Sequence, residues 1–228
     1  MIGLSAVVML VVLGALCALD TVSVLQAMVS RPIVATTLAG AAFGRAEDAI
    51  VVGAVLELFA IETMPFGASR YPEWGSAGVV AGTTYLIGGP GMAGSLAVAT
   101  LAGLATASLG SISMVWHRQF VARIATTLRE RIAAGNASAV SRLHMAGLVS
   151  DFWRGAMVTS VGLALALVFA PRIVSAWYLP YGPSIAWPVI LGVAAAVASI
   201  VRSAHTVARA SWFLAGGSAL GVALVLAR

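Results

Sequence analysis

Apolar runs recur from one end of this chain to the other, and this pattern constrains the fold more than any other feature. Hydrophobic residues make up 61% of the 228 residues, whereas charged residues make up 9%. Runs of this length and composition are typical of membrane-spanning helices. The sequence therefore predicts an all-α polytopic membrane protein with one membrane-embedded domain over residues 1–228. The strong runs are residues 4–19, 76–87, 92–116, 153–170, 187–201 and 212–227.

Two shorter apolar runs, residues 32–44 and 49–61, predict a different element. A 13-residue helix is about 20 Å long, which is shorter than a hydrocarbon core of roughly 30 Å. We expect a re-entrant or half-membrane helical hairpin near residues 32–61, with its turn at residues 45–48. Because irregular backbone at membrane depth needs protein or water around it, such a hairpin points to a transport site. The alternative is a pair of tilted, tightly packed helices.

One carboxylate, Glu57, lies inside the second of these short runs. A charged side chain at the centre of a bilayer costs about 2.5–3.5 kcal/mol even on the insertion scale, so such residues usually mark a substrate or ion pathway. We therefore expect Glu57 to take part in function. The alternative is that Glu57 is a buried partner of an arginine, either Arg31 or Arg70.

Arginine supplies all 13 basic side chains, and the formal net charge is +5. These arginines lie mainly between apolar runs, which indicates membrane topology and not nucleic-acid binding. Residues 117–151, with the adjoining Arg154, hold six of them against two acidic residues, so the positive-inside rule places this loop in the cytoplasm. The loop is predicted to form an amphipathic interfacial helix, because apolar residues recur at every fourth position, at Phe120, Ile124, Leu128 and Ile132.

Enzymatic and metal chemistry find no support in the sequence. Cys17 is the only cysteine, so the chain contains neither a disulfide nor a cysteine metal site. The histidines, at positions 117, 144 and 205, are far apart, and no H-E-x-x-H or G-x-S-x-G motif is present. We predict no catalytic residue, no metal and no cofactor.

An ordered set of residues in the first third of the chain resembles a known family. It begins with Arg31-Pro32-Ile33-Val34-Ala35 and continues with Gly40, Gly44, Gly53, Leu56-Glu57, Met64, Gly67-Ala68 and Pro72. A second patch contains Gly135-Asn136, His144 and Arg154. Together they resemble the enzyme IIC membrane component of the mannose/fructose/sorbose family of the phosphoenolpyruvate-dependent sugar phosphotransferase system.

This resemblance implies a sugar permease (IIC) in the bacterial inner membrane. It implies a IID membrane subunit as partner, an oligomeric assembly, and cytoplasmic IIA and IIB subunits that carry phosphate on histidines. It also implies that these partners phosphorylate the sugar. No nucleic acid is expected among the partners.

The expected sugar-binding residues cluster around the hairpin. Carboxylates accept several hydrogen bonds from sugar hydroxyls, an amide both donates and accepts, and aromatic rings cover the C–H surface of a sugar. These residues are Glu57, Gln26, Glu62, Glu73, Phe66 and Trp74, and the structural or pathway residues are Arg31, Pro32, Pro65 and Gly67. The alternatives are a solvated loop end for Glu62 and Glu73, and an interfacial aromatic belt for Tyr71 and Trp74.

The chain departs from the family pattern after Met64. Mannose-type members carry an asparagine near the sugar at this point, whereas this chain has Pro65, which offers no side-chain amide. Glu62 replaces a small residue nearby. Two other functions therefore stay open: a proton- or ion-coupled carrier that works alone, and a regulatory membrane component that does not transport.

Overall fold

The computed structural model describes residues 3–24, 26–61 and 71–204, and this part of the chain is all helical, as predicted. The predicted residues Glu62, Pro65, Phe66 and Gly67 lie outside the described residues, as does the run 212–227. The helices are α1 (Leu4–Val22), α2 (Pro32–Ala41), α3 (Ala46–Ala60), α4 (Trp74–Gly88), α5 (Ser95–Ala133), α6 (Ala137–Ser175) and α7 (Tyr181–Ala204).

Four helices in the described part of the chain are long and apolar enough to cross a membrane. They are α1, α5, α6 and the portion Tyr181–Val201 of α7. The helices α2 and α4 are shorter, with 10 and 15 residues. The structure therefore confirms a polytopic, all-α architecture.

Helix α4 lies at the centre of the bundle and packs against α1, α2, α3, α5 and α6. Its small side chains allow this close approach. A Cβ added at Gly78 would lie 2.7 Å from Cβ of Ala35, and one added at Gly82 would lie 3.0 Å from the carbonyl oxygen of Thr36. The Gly78–Gly82 step is thus the packing surface of α4 against α2, as small residues four apart provide in membranes.

The helices α2 and α3 form a tightly packed antiparallel hairpin. Pro32 occupies the first turn of α2, where its missing N–H costs nothing, and Gly44 has the positive φ of +66° that the connecting turn requires. Arg45 in that turn lines a cavity together with Leu86 at the end of α4 and Pro171 near the end of α6. The turn therefore lies at one end of the bundle, and the open ends of the hairpin, at Arg31 and Ile61, lie towards the other. Its re-entrant placement in a bilayer stays a prediction.

The region 117–151 differs from the single amphipathic helix that the periodicity predicts. Helix α5 continues without a break to Ala133, and α6 begins at Ala137, so this region forms the paired ends of two 39-residue helices. The connecting turn contains Gly135 with a φ of 75°. Asn136 caps α6, because its Oδ1 accepts hydrogen bonds from the N–H groups of Ser138 (3.0 Å) and Ala139 (3.2 Å). The apolar residues at every fourth position lie on α5, and their periodicity did not predict the turn between α5 and α6.

Candidate functional site

Glu57 forms an ion pair with Arg31, the residue just before α2. Its other carboxylate oxygen accepts a hydrogen bond from the N–H of Ile33 at 3.2 Å. The carboxylate thus joins the end of α3 to the start of α2 and satisfies a free N–H of the first turn. The side chains of Glu57 and Arg31 remain 22% and 39% exposed, so a ligand can still reach both.

A second set of charges is far more deeply buried. Arg154 of α6 donates from Nε to Asp151 at 2.8 Å and from Nη1 to Glu73 at 2.6 Å. The three side chains are 6%, 0% and 1% exposed. We call Glu73, Asp151 and Arg154 the buried triad.

Hydroxyl groups from three other helices or loops surround the buried triad. Ser76 donates to Glu73 at 2.5 Å, Ser23 donates to Asp151, and Ser113 accepts from Arg154 at 3.1 Å. Buried charges are costly unless they are paired and hydrogen-bonded, and this arrangement supplies both conditions. The triad therefore joins α4, α5 and α6 with the segment that follows α1.

The charges within the buried triad do not cancel. Two carboxylates face one guanidinium, so the formal charges of the triad sum to −1. One guanidinium nitrogen, Nη2 of Arg154, is buried and has no hydrogen-bond partner among the residues that the structure describes. A buried N–H without a partner costs about 1–3 kcal/mol, and such groups are often found where a ligand or water binds.

Sequence reasoning missed Asp20, which lies close to the end of α1 and is 7% exposed. Its two carboxylate oxygens accept hydrogen bonds from the N–H groups of Ala27 (2.7 Å) and Ser30 (2.9 Å). Asp20 thereby holds the irregular segment that carries Gln26 and leads to Arg31. The signal was its position at the edge of the first apolar run, where a carboxylate needs a partner just as Glu57 does.

Sequence reasoning also missed the pairing of Asp151 with Arg154. These residues are three apart on one helix, which is a spacing that allows contact. The spacing alone would not reveal Glu73 as the third member, because 81 positions separate it from Arg154.

The other predicted residues take different positions. Gln26 is exposed and has a positive φ of 52°. Trp74 is partly buried and packs against an apolar cluster that includes Val55 and Leu56. Pro32 is buried at the start of α2. The structure thus brings Glu57 together with Arg31 and Pro32, whereas it places Glu73 in the separate buried triad.

Two cavities lie near opposite ends of the bundle. One, of about 1010 Å³, lies beside the turn of the α2–α3 hairpin and includes Phe43, Arg45 and Thr83 in its lining. The other, of about 480 Å³, includes Tyr71, Met114, His117 and Arg118. The guanidinium carbon of Arg118 lies 5.3 Å from the centroid of the Tyr71 ring, a cation–π distance. Within the described residues, no three His, Cys, Asp or Glu side chains are placed to hold a metal ion.

Two proteins with similar sequences are both named as IIC components. The fructose permease IIC component of Bacillus subtilis is 27% identical over 140 residues, which are 61% of this chain and 50% of that protein. The mannose-specific EIIC component of Escherichia coli K12 is 25% identical over 137 residues, 60% of this chain and 50% of that protein. The chain thus spans about half the length of the curated relatives it matches.

Solved structures share the fold over almost the whole chain. A structure described as a membrane protein has a TM-score of 0.70 at 18% identity and covers 99% of this chain and 94% of its own. The mannose transporter ManYZ in complex with microcin E492 has a TM-score of 0.58 at 21% identity, with 99% and 93% covered. The family described as the PTS system sorbose-specific IIC component matches residues 4–180. Because this match covers most of the sequence, the chain belongs to the sorbose-specific IIC family of the phosphotransferase system.

Proposed function

We propose that this chain is the sugar permease subunit (IIC) of a mannose-type phosphotransferase system in the bacterial cytoplasmic membrane. The observation that carries the proposal is the concentration of polar groups at the open ends of the α2–α3 hairpin, in an otherwise apolar bundle. The partly exposed Arg31–Glu57 pair lies there, next to the segment that Asp20 holds. Charged groups among apolar helices are costly, and they usually mark the path of a polar substrate.

In this proposal the sugar binds beside Glu57 and Gln26, whose side chains are not enclosed by the bundle. The Glu57 carboxylate accepts hydrogen bonds from sugar hydroxyls, and Arg31 holds it in position. Trp74 contributes an aromatic edge. Glu62, Pro65, Phe66 and Gly67 follow α3 directly in the sequence and complete the proposed site.

Glu73 has a different part in this proposal from the one its sequence position suggests. Its carboxylate is held by Arg154 and Ser76, so its hydrogen-bonding capacity is already largely used. We propose that the buried triad fixes α4 and α6 relative to each other, beside the sugar path. Nη2 of Arg154, which has no hydrogen-bond partner in the described part of the chain, is the group of the triad that would donate to a sugar oxygen.

The proposed assembly contains more than this chain. A IID membrane subunit packs beside the bundle, and the complex is oligomeric. Cytoplasmic IIA and IIB subunits deliver the phosphoryl group, so this chain binds and translocates the sugar without catalytic residues of its own. The fold likeness to ManYZ, whose description names a mannose transporter, supports this proposal.

A proton- or ion-coupled carrier is the second candidate, and the net charge of the buried triad favours it. Two buried carboxylates with one guanidinium can take up one positive charge without leaving an ion unpaired. A regulatory component that binds partners and transports nothing is the third possibility, because Pro65 replaces the asparagine that the family resemblance predicts.

One uptake experiment separates these functions. The chain and its IID partner are expressed with and without IIA and IIB in a strain that lacks mannose-type permeases, and radiolabelled mannose, fructose, glucose and sorbose are supplied in turn. We expect intracellular sugar phosphate only when all four subunits are present. Uptake of unmodified sugar by the chain alone, driven by a proton or sodium gradient, would show a coupled carrier. No uptake of any sugar, with a stable complex of subunits, would show a regulatory component.

A further inference from the structure

The helices α5 and α6 are too long to end at the membrane surface. Each has 39 residues, about 58 Å of helix, against a hydrocarbon core of about 30 Å. Trp116 and Trp153 are 70% and 61% exposed, and exposed tryptophans mark the boundary of the bilayer. Just beyond them, His117 of α5 and Ser150 of α6 are hydrogen-bonded at 2.9 Å. Residues 118–150 therefore project into water as a helical hairpin, which we call the α5–α6 extension.

The α5–α6 extension carries a strong excess of positive charge. It contains five arginines and a single acidic residue, Glu130. Four of the arginines are exposed, and their side chains form no ion pair or hydrogen bond with any residue that the structure describes. These four are Arg123, Arg129, Arg131 and Arg142. This contrasts with Arg31, Arg45 and Arg154, each of which has a carboxylate partner.

Three of these side chains lie too far from the membrane to serve its headgroups. Arg129, Arg131 and Arg142 are 13, 15 and 11 positions beyond the boundary tryptophans of their helices, or about 17 to 23 Å at 1.5 Å per residue. The headgroup layer is about 5–7 Å thick on each side, and charges in physiological salt are screened beyond about 8 Å. A typical helix tilt of about 20° shortens the projection by only about a twentieth. Lipid charge therefore does not account for these distal arginines.

Exposed apolar side chains accompany the distal arginines. Val140 and Met145 of α6 are 51% and 52% exposed, although both lie in the projecting part of the helix. The turn at residues 134–136 brings Arg129, Arg131 and Arg142 to the same end of the extension.

We infer that the α5–α6 extension is a docking surface for the acidic face of a water-soluble cytoplasmic protein. The inference rests on the proposed function in one respect, because that function supplies the probe, namely the IIB subunit of the same system. Opposite charges steer the two proteins together, and the association therefore weakens with added salt.

The test measures binding of purified IIB to the complex of this chain with IID, held in nanodiscs of uncharged phosphatidylcholine. The variant R129E/R131E/R142E reverses the distal charges, and R129K/R131K/R142K is the matched control that keeps them. We expect the glutamate variant to bind IIB at least about tenfold more weakly at low salt, with a reduced salt dependence. The lysine variant is expected to stay within about threefold of the wild type, because charge complementarity needs no particular geometry of the guanidinium. Equal size-exclusion profiles exclude misfolding of the exposed hairpin.

Three outcomes would overturn the inference. Equal affinity of the glutamate variant and the wild type would show that IIB binds elsewhere, and IIB-dependent sugar uptake would then leave the proposed function intact. A failure of the wild type to bind IIB, with uptake that needs no IIB, would remove the inference and the proposed function together. Binding of the wild type to vesicles with 30% phosphatidylglycerol that the glutamate substitutions abolish, with IIB binding unchanged, would assign the arginines to the lipid surface.

Discussion

The two groups of paired charges in this bundle reverse the order that their sequence positions suggest. Glu57 lies in the middle of an apolar run and is nevertheless 22% exposed. Glu73 lies just before α4, where a solvated loop end is a reasonable expectation, and it is 1% exposed. The apolar run around Glu57 does not make it the more deeply buried carboxylate, and its ion pair with Arg31 is the alternative that the sequence left open.

The difference follows from the number of helices around each carboxylate. Helix α4 is surrounded by five others, so a side chain at its first turn meets α5 and α6 directly. Glu57 instead faces the start of α2, where it contacts Arg31 and remains 22% exposed. The burial of a side chain depends on how many helices pack around it. Local hydropathy predicts burial only for a helix that has one face towards lipid. Substitutions at the two groups of charges should therefore have very different costs.

The largest effect is expected for Arg154→Met. This substitution leaves two carboxylates buried without a cation, and breaking such a pair costs about 3–5 kcal/mol. Circular dichroism during denaturant titration in mild detergent measures the free energy of unfolding. Arg172→Met is the matched control on the same helix. Arg172 is exposed and donates a hydrogen bond to the carbonyl oxygen of Val168, one turn earlier in α6. A loss below about 1 kcal/mol for Arg154→Met would contradict the importance of the buried triad.

A smaller loss is expected for Glu73→Gln. The amide still accepts from Arg154, and the substitution removes the excess negative charge, so the cost is limited to about 1–3 kcal/mol for weakened hydrogen bonds to a charged group. The same titration measures it. If Glu73→Gln cost as much as Arg154→Met, the net charge of the triad would not determine the cost of a substitution.

Gly110→Ala tests how tightly α5 packs on the buried triad. A Cβ at this position would overlap Cβ of Glu73 and lie 2.9 Å from its Oε2, so the backbone of α5 or of Glu73 would have to move. We expect a loss of about 1–3 kcal/mol, as for overpacking in other cores. Gly147→Ala is the control in α6, because its Cβ would meet nothing within 4 Å, and it should be neutral or slightly stabilising. Equal stability of the two variants would contradict the close approach of α5 to Glu73.

Glu57→Gln should affect stability only slightly but should impair transport. Exposed ion pairs contribute about 0–1 kcal/mol, and this one is 39% and 22% exposed, so the free energy of unfolding should change by less than about 1 kcal/mol. Sugar uptake should nevertheless fall, because the amide accepts fewer and weaker hydrogen bonds from sugar hydroxyls. Normal uptake by this variant would leave Glu57 with a structural role only.

Ser138→Cys should leave stability unchanged and report the side of the membrane. Ser138 is exposed beside the turn of the α5–α6 extension. With Cys17 first replaced by alanine, a membrane-impermeant thiol reagent should label this cysteine only after the cells are permeabilised. Labelling in intact cells would place the extension outside the cytoplasm and remove the contact with cytoplasmic subunits.

Hydropathy was sufficient to predict the helical class, four of the long apolar helices and a pair of helices at α2–α3. It could not predict that α5 and α6 continue to residues 133 and 137, because a helix that leaves the membrane changes composition without changing its backbone. The contacts within the buried triad could not be predicted either. Arg154 lies 81 positions from Glu73, and periodicity reports which face of a helix is apolar but not which side chains meet across the bundle.

The hydrogen bonds of Asp20 have a consequence for the conformational equilibrium of the segment after α1. Gln26 and Met28 have φ values of 52° and 62°, and a left-handed backbone costs residues with a Cβ about 1–2 kcal/mol each. Two charge-assisted bonds to Ala27 and Ser30 offset an energy of similar size. The side chain of Asp20 therefore stabilises the backbone conformation that presents the amide of Gln26.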